Sequence, residues 1–276
     1  HSAVSKGKGE YTLKVAVTTS RELPVLIERA VRIAEELAIP YIPRASNSLQ
    51  KLKDIHQLDY LLVVEQNQVI LKGREVLFWH PSMAVPRLKA LREGKNDPML
   101  EAMQLKPGFH VLDCTLGLGS DALVCAYGVG SEGHVTGLEA SKYIAFITRW
   151  GLENFNGQNT HVKTLLPRIT VLNQAYEEYL KILPRNSYEV VYFDPMFRKA
   201  LHHSPSMNAL RPLANHQPLQ LESIQEALRV AKFRVVVKEI AGGTELLRLN
   251  PHYIVGGKYS PINYGVWEKK MTLSGA

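Results

Sequence analysis

Apolar residues along this chain follow two rhythms, and the change from one to the other divides it. Residues 11–20, YTLKVAVTTS, are rich in β-branched side chains and predict a strand. A helix follows, starting between Ser20 and Pro24, because proline suits a first turn and Ile27, Ala30, Val31, Ala34 and Leu37 then recur at helical spacing. IPYIPR ends that helix, and SLQKLKDIHQ predicts a second, short one. DYLLVVE, QVILKG and EVLFWH predict three short strands, parted by turn residues such as Gln66-Asn67 and Gly73. Residues 11–84 are therefore expected to form a small α/β domain. PRLKALREGKNDP predicts a basic helix and a turn, connecting over 85–105 to the rest.

Over 106–276 the rhythm becomes strand, helix, strand, helix. HVLD, HVTGLE, ITVLN, VVYFD and RVVVKEI are short, nearly continuous apolar runs, the pattern of parallel strands buried on both faces. A doubly wound, Rossmann-like α/β sheet follows from that alternation. YIVGGKYSPINYGVWE reads as a closing antiparallel hairpin.

Composition narrows the classes. With 276 residues, 45% hydrophobic and 21% charged, the chain is expected to be globular, and no apolar run nears the ~18 residues of a membrane span. Cys114 and Cys125 are the only cysteines and form no CxxC, so a disulfide framework is not expected and a reducing cytoplasm is. Residues 1–10, HSAVSKGKGE, lack the apolar core of a signal peptide and are expected to be disordered or extraneous to the fold. The net charge of +7 suits a phosphate-rich partner. Its distribution says more: no acid lies between Asp194 and Glu222, where Arg198, Lys199, His202, His203, Arg211 and His216 all fall. His202-His203 invite a metal reading, but with no Cys or acid nearby in sequence no metal is expected.

In VLDCTLGLGSDALV a strand ends at Asp113, and Gly117 and Gly119 occupy the loop before a helix starting near Asp121. Residues 117–122 fit GxGxxA, and Glu139 lies 20 positions beyond Gly119, where a dinucleotide fold keeps its ribose acid. Against a nicotinamide cofactor, Asp113 and further residues separate the strand from the first glycine. A carboxylate at that strand end can pair with the ammonium of an amino-acid moiety, while Glu139 takes the two hydroxyls of a ribose. A ligand with both features is S-adenosylmethionine (SAM). Asn173, Gln174 and Ala175 end the next strand, where they can meet the adenine edge. Each residue also has a plain structural role open to it: a helix cap for Asp113, a solvated acid for Glu139, a turn for Asn173.

The strand YEVVYF stops abruptly at Asp194-Pro195, followed by Met196 and Phe197. Ligands of open parallel sheets bind beyond the carboxyl ends of the strands, so this motif is expected to face the reactive group. An exocyclic base amine is a poor nucleophile because its lone pair is delocalised. If the Asp194 carboxylate and the Pro195 carbonyl accept its two N–H bonds, the nitrogen is aimed at the methyl and its growing charge is stabilised. Phe197 is placed to stack on the base, a contact of about 1–3 kcal/mol. The alternative is that Asp-Pro ends a strand and Phe197 packs in the core.

These motifs resemble the class I SAM-dependent methyltransferases, and among them the small-subunit ribosomal RNA guanine-N2 methyltransferases of the RsmJ type. The resemblance rests on Asp113-Cys114-Thr115 with Gly117-Leu118-Gly119-Ser120-Asp121-Ala122, on Gly137-Leu138-Glu139, on Val190 to Phe197 and on Phe233 to Lys238. It implies a seven-stranded SAM-binding sheet, with cofactor contacts at Thr115, Ser120, Asp121, Glu139, Gln174, Ala175 and Asp194. It also implies RNA as partner, either small-subunit rRNA or the ribosomal subunit. RKALHHSPSMNALRPLANH departs from the lysine-rich stretch that follows DPMF in that family, which puts the target-recognition loop in doubt. Arg87, Arg92, Arg198, Lys199 and Arg211, with the small domain, are the expected phosphate contacts. Methylation of DNA, protein or a small-molecule amine, a catalytically silent SAM- and RNA-binding module, and a nicotinamide oxidoreductase are the competing readings.

Overall fold

A computed structural model describes residues 12–195, 209–257 and 259–270. The chain divides into two compact units, His1–Leu77 and Phe78–Ala276. In the first, β1 (Val15–Thr19) runs parallel to β2 (Tyr60–Val64), and β3 (Val69–Lys72) and β4 (Val76–Leu77) add antiparallel in the order β1-β2-β3-β4. Pro24 opens α1 (Pro24–Leu37) and Ala38, in the left-handed region at φ 51°, closes it. Its buried stripe is Leu26, Ala30, Ile33, Ala34 and Leu37, rotated from the predicted one: Ile27 and Val31 are half-buried on its flank. Ser48 caps α2 (Leu49–His56) by accepting from the Lys51 amide. The run EVLFWH is a strand only at Val76–Leu77, and Phe78 onward belongs to the second unit.

The second unit is built on seven strands: β5 (His110–Asp113), β6 (His134–Leu138), β7 (Ile169–Leu172), β8 (Tyr188–Phe193), β9 (Ala231–Ile240), β10 (Tyr253–Val255) and β11 (Ile262–Glu268). Their order is β10-β11-β9-β8-β5-β6-β7, all parallel from β7 to β9, with β11 antiparallel between β9 and β10. This is the expected seven-stranded Rossmann-like sheet, and the first unit is the expected small N-terminal α/β fold. The sequence hairpin is present, with β11 rather than β10 joining the parallel set.

Strand alternation sorts the core onto two faces. Val111, Val190, Tyr192, Val236 and Tyr264 pack with Ala122 to Ala126 of α5 (Ser120–Gly128), while Leu112, Val191, Phe193, Val235 and Val237 pack with Ile224 and Ala227 of α9 (Leu221–Val230). The basic segment is not a free connector. Leu88 of α3 (Val85–Arg92) and Met99, Ala102 and Met103 of α4 (Pro98–Met103) join the first face. Sequence reading missed α4, although Asp97-Pro98 is a cap followed by a first-turn proline. The chain runs outward from β5 through β6 to β7, then returns to lay β8 on the opposite side of β5. The gap between the carboxyl ends of β5 and β8 is thus a switch point, where a parallel sheet leaves room for a ligand.

Candidate active site

The loop after β5 is held from all sides by its own unit. Cys114 N–H donates to the Tyr192 carbonyl (2.9 Å) and Leu116 N–H to the Leu138 carbonyl (2.9 Å), joining the loop to β8 and β6. Gly117 (φ 55°) and Gly119 (φ 80°) take left-handed conformations that cost other residues about 1–2 kcal/mol, and among the described residues no atom beyond its chain neighbours lies within 4 Å of where a Gly117 Cβ would stand. Thr148 of α6 (Lys142–Asn154) donates to the Gly117 carbonyl (2.7 Å) and the Trp79 indole to the Leu118 carbonyl (2.9 Å).

Glu139, just past β6, accepts from Gly117 N–H and Ser141 N–H, each at 3.0 Å. Burial nonetheless lifts its carboxyl above the usual range. Asn173 donates its amide to the Glu139 and Ala140 carbonyls (2.9 and 3.1 Å), so it fastens this turn rather than presenting itself to a ligand. Gln174 beside it is exposed, and Ala175 caps α8 (Tyr176–Ile182). Ser120 opens α5, half-buried.

Asp113 is buried, 1% exposed, and accepts from Thr115 N–H (3.1 Å). Burial first, then the nearby Asp121 charge, pushes its carboxyl well above its ordinary value. A buried acid with carboxylates for neighbours calls for a cation. Thr115 does a second job: its hydroxyl accepts the Asp194 N–H at 2.6 Å, tying the end of β8 to the loop after β5.

Behind this loop lies an ion cluster that the sequence did not announce. Arg87 grips Asp97 with two nitrogens (2.7 and 2.9 Å) and Asp121 with a third (2.6 Å). Asp97 also caps α4 through Met99 and Leu100 N–H. Tyr192 donates its hydroxyl to Asp121 (2.7 Å), and Lys238 of β9 reaches both Asp121 (3.2 Å) and Asp194 (3.3 Å). Burial would raise the Asp121 carboxyl, but Lys238 and Arg87 hold it well below the carboxylate range. Lys238 in turn sits above its ordinary value, burial opposing its charge and Asp194 and Asp121 favouring it. Burial lifts the Asp194 carboxyl above its usual value, with Lys238 opposing and Asp121 adding.

Arg87 therefore needs correcting as a phosphate contact, since its guanidinium is committed to two aspartates. Asp121 likewise serves cations of its own chain. Arg92 is exposed and Arg211 half-buried. Phe197, Arg198 and Lys199 lie outside the described residues, which stop at Asp194-Pro195 on this side. Lys238, Tyr192, Asp97, Thr148 and Trp79 were missed. Two of these carried a signal: Asp97 precedes a first-turn proline, and Lys238 closes the apolar run Val235–Val237 at the carboxyl end of a buried strand, where a lysine needs a partner.

Asp97, Asp121 and Asp194 carry three negative charges against two on Arg87 and Lys238, before Asp113 and Glu139 are counted. That excess, an open glycine loop and an acid at the end of β6 suit a ligand with a sulfonium, an ammonium and a ribose.

The family described as "Putative SAM-dependent methyltransferase" matches residues 32–263. The uncharacterized protein YpiP of Bacillus subtilis is 37% identical over 225 residues, 81% of this chain and 88% of its own length. Ribosomal RNA small subunit methyltransferase J of Pseudomonas aeruginosa is 31% identical over 182 residues, 64% of this chain and 67% of its own. A SAM-dependent methyltransferase from Neisseria gonorrhoeae, 19% identical, shows the same fold, with a TM-score of 0.60 over 92% of this chain and 95% of that one. The chain belongs to the SAM-dependent methyltransferase family, and SAM is its methyl donor.

Proposed function

We propose that the protein methylates an exocyclic base amine of RNA, guanine N2 of small-subunit rRNA. The observation that carries this reading is the placing of Asp194-Pro195 at the switch point of the sheet. There the Asp194 side chain is 40% exposed while its backbone is tied to Thr115 and its carboxylate to Lys238. A partly open carboxylate fixed at both ends is an acceptor for the N–H bonds of a flat amine. The relative named for small-subunit ribosomal RNA supports the choice of acceptor.

SAM, when bound, supplies an electrophilic methyl on a positively charged sulfur. Asp113 would take its ammonium and Glu139 its ribose hydroxyls, with Gly117, Gly119 and Ser120 giving the backbone room and Gln174-Ala175 facing the adenine. Asp194 and the Pro195 carbonyl accept the two amine N–H bonds, so the nitrogen lone pair is turned toward the methyl. Phe197 stacks on the base. After transfer the alkylated amine is a strong acid and gives its proton to water, so no separate base is needed. Arg92, Arg198, Lys199 and Arg211 contact phosphates.

The test is an acceptor competition with labelled SAM, offering RNA and small subunits lacking the modification, DNA and protein. Label in small-subunit RNA supports the reading. Label in DNA or protein alone, or SAM binding without turnover on any pool, overturns it.

A further inference from the structure

We propose that Lys238 is the positioning residue of this site, fixing the Asp194 carboxylate toward the acceptor amine and coupling it to the cofactor loop through Asp121. The proposal rests on the amine-methylation reading above and adds a residue to it. Lys238 lies on β9, one strand beyond Asp194, with its side chain 17% exposed behind a carboxylate that is 40% exposed. The lysine is thus the back wall and Asp194 the front.

Its two distances decide between bridging and simple neutralisation. Asp121 already has Arg87 at 2.6 Å and the Tyr192 hydroxyl at 2.7 Å. An ammonium needed only there would close on Asp121, yet Lys238 divides itself almost equally, at 3.2 and 3.3 Å. Without Lys238, Asp121 keeps both other partners. Asp194 keeps its backbone bond to Thr115 but loses the one cation that reaches its carboxylate among the described residues. The consequence of removing the lysine therefore falls on the acceptor carboxylate. Asp121 is the second residue of α5, directly after the glycine loop, so the bridge joins the cofactor side to the acceptor side.

The groups facing this pair set the sign of the pH effect. Asp121 from α5, Asp113 from β5 and, when ionised, Tyr192 of β8 disfavour a charge on Asp194, while Lys238 and the more distant Arg87 favour it; Tyr264 of β11 acts on Asp121 and Lys238. Removing Lys238 leaves the opposing set in the majority. The Asp194 carboxyl then holds its proton to higher pH, and a protonated acid accepts the amine N–H poorly.

The experiment compares wild type with Lys238→Met and Lys238→Arg, each checked for folding by circular dichroism. In the Met variant kcat should fall by about a hundredfold, SAM affinity should stay near wild type, and the acid limb of the kcat profile should move to higher pH. Lys238→Arg should fold, lose part of kcat and keep the wild-type limb. A folded Met variant with wild-type kcat and limb overturns the proposal, as does an Arg variant whose limb moves upward.

A second readout needs no acceptor and no turnover. The 13C carboxyl resonance of Asp194, assigned through Asp194→Asn, should titrate at higher pH in Lys238→Met than in wild type, and an unchanged midpoint overturns the proposal. If wild type labels no RNA, the function reading fails while this titration still decides the role of the lysine.

Discussion

Asp121→Asn removes one charge from the buried cluster without changing its shape, and the size of the loss can be worked from the contacts. Asp121 accepts from Arg87, Tyr192 and Lys238, and its side chain is 10% exposed against 28% for Arg87 and 17% for Lys238. Surface pairs, worth about 0–1 kcal/mol, are therefore the wrong comparison. Breaking a buried pair costs about 3–5 kcal/mol because a charge is left stranded. Here neither cation is stranded, since Arg87 keeps two bonds to Asp97 and Lys238 keeps Asp194. The loss should sit at the low end, about 3 kcal/mol, which for a unit of this size lowers the melting temperature by about 6–12 °C.

The pH dependence has a definite sign. Asp121 has a folded-state pKa below its unfolded value, so its contribution is complete above the unfolded value of about 3.9 and fades only as pH falls through the folded one. Urea unfolding followed by circular dichroism, at pH 8, 7, 6 and 5, should give a gap between wild type and variant that is no smaller at pH 5 than at pH 8, because the variant also frees Asp113 and Asp194 of the Asp121 charge as they ionise. A gap below about 1 kcal/mol, or one that shrinks between pH 8 and 5, would refute the reasoning.

Three further expectations follow from single residues. Asp113 has a raised folded-state pKa, so it costs the cofactor-free protein stability as pH rises above the unfolded value; Asp113→Asn should melt higher than wild type at pH 7–8, with the gain shrinking toward pH 4. The same variant should bind SAM more weakly by about 1.5–3 kcal/mol in a calorimetric titration, and a lower melting temperature at pH 7 would contradict this account of the acid. Gly137→Ala places a Cβ 2.5–2.9 Å from the Leu116 side chain, which must move beneath the glycine loop, and SAM binding should weaken by about tenfold, or 1.4 kcal/mol, although residue 137 need not touch the ligand. Gly119→Ala meets only ordinary contacts at 3.6 and 3.7 Å and should lose about 1–2 kcal/mol of stability to its φ of 80° alone, measured by urea denaturation.

The apolar runs carried most of the second unit: each of the five expected parallel strands is present, because a strand buried on both faces must be apolar throughout. Where periodicity was the only guide it erred in phase. In α1 the predicted stripe included Ile27 and Val31, but the packed face runs through Leu26 and Ile33, and in a helix with apolar residues on more than one side spacing alone does not say which faces the sheet. The strand-end positions of Asp113, Glu139 and Asp194 were legible because an acid ending a buried strand stands out. Arg87 was misjudged because a basic helix looks solvated until Asp97 and Asp121, 10 and 34 residues away in sequence, are brought to it. Tyr192 reads as one more apolar strand residue, and only the packing of α5 against β8 reveals what its hydroxyl meets.

The central claim is methyl transfer to a guanine exocyclic amine held by Asp194. The most direct test is to incubate small subunits lacking the modification with SAM and the protein, digest the RNA to nucleosides and identify the product by mass spectrometry. N2-methylguanosine from wild type, absent with Asp194→Ala while that variant still binds SAM, is the predicted result. A methyl on ribose or on a ring carbon, or undiminished product from Asp194→Ala, would contradict it.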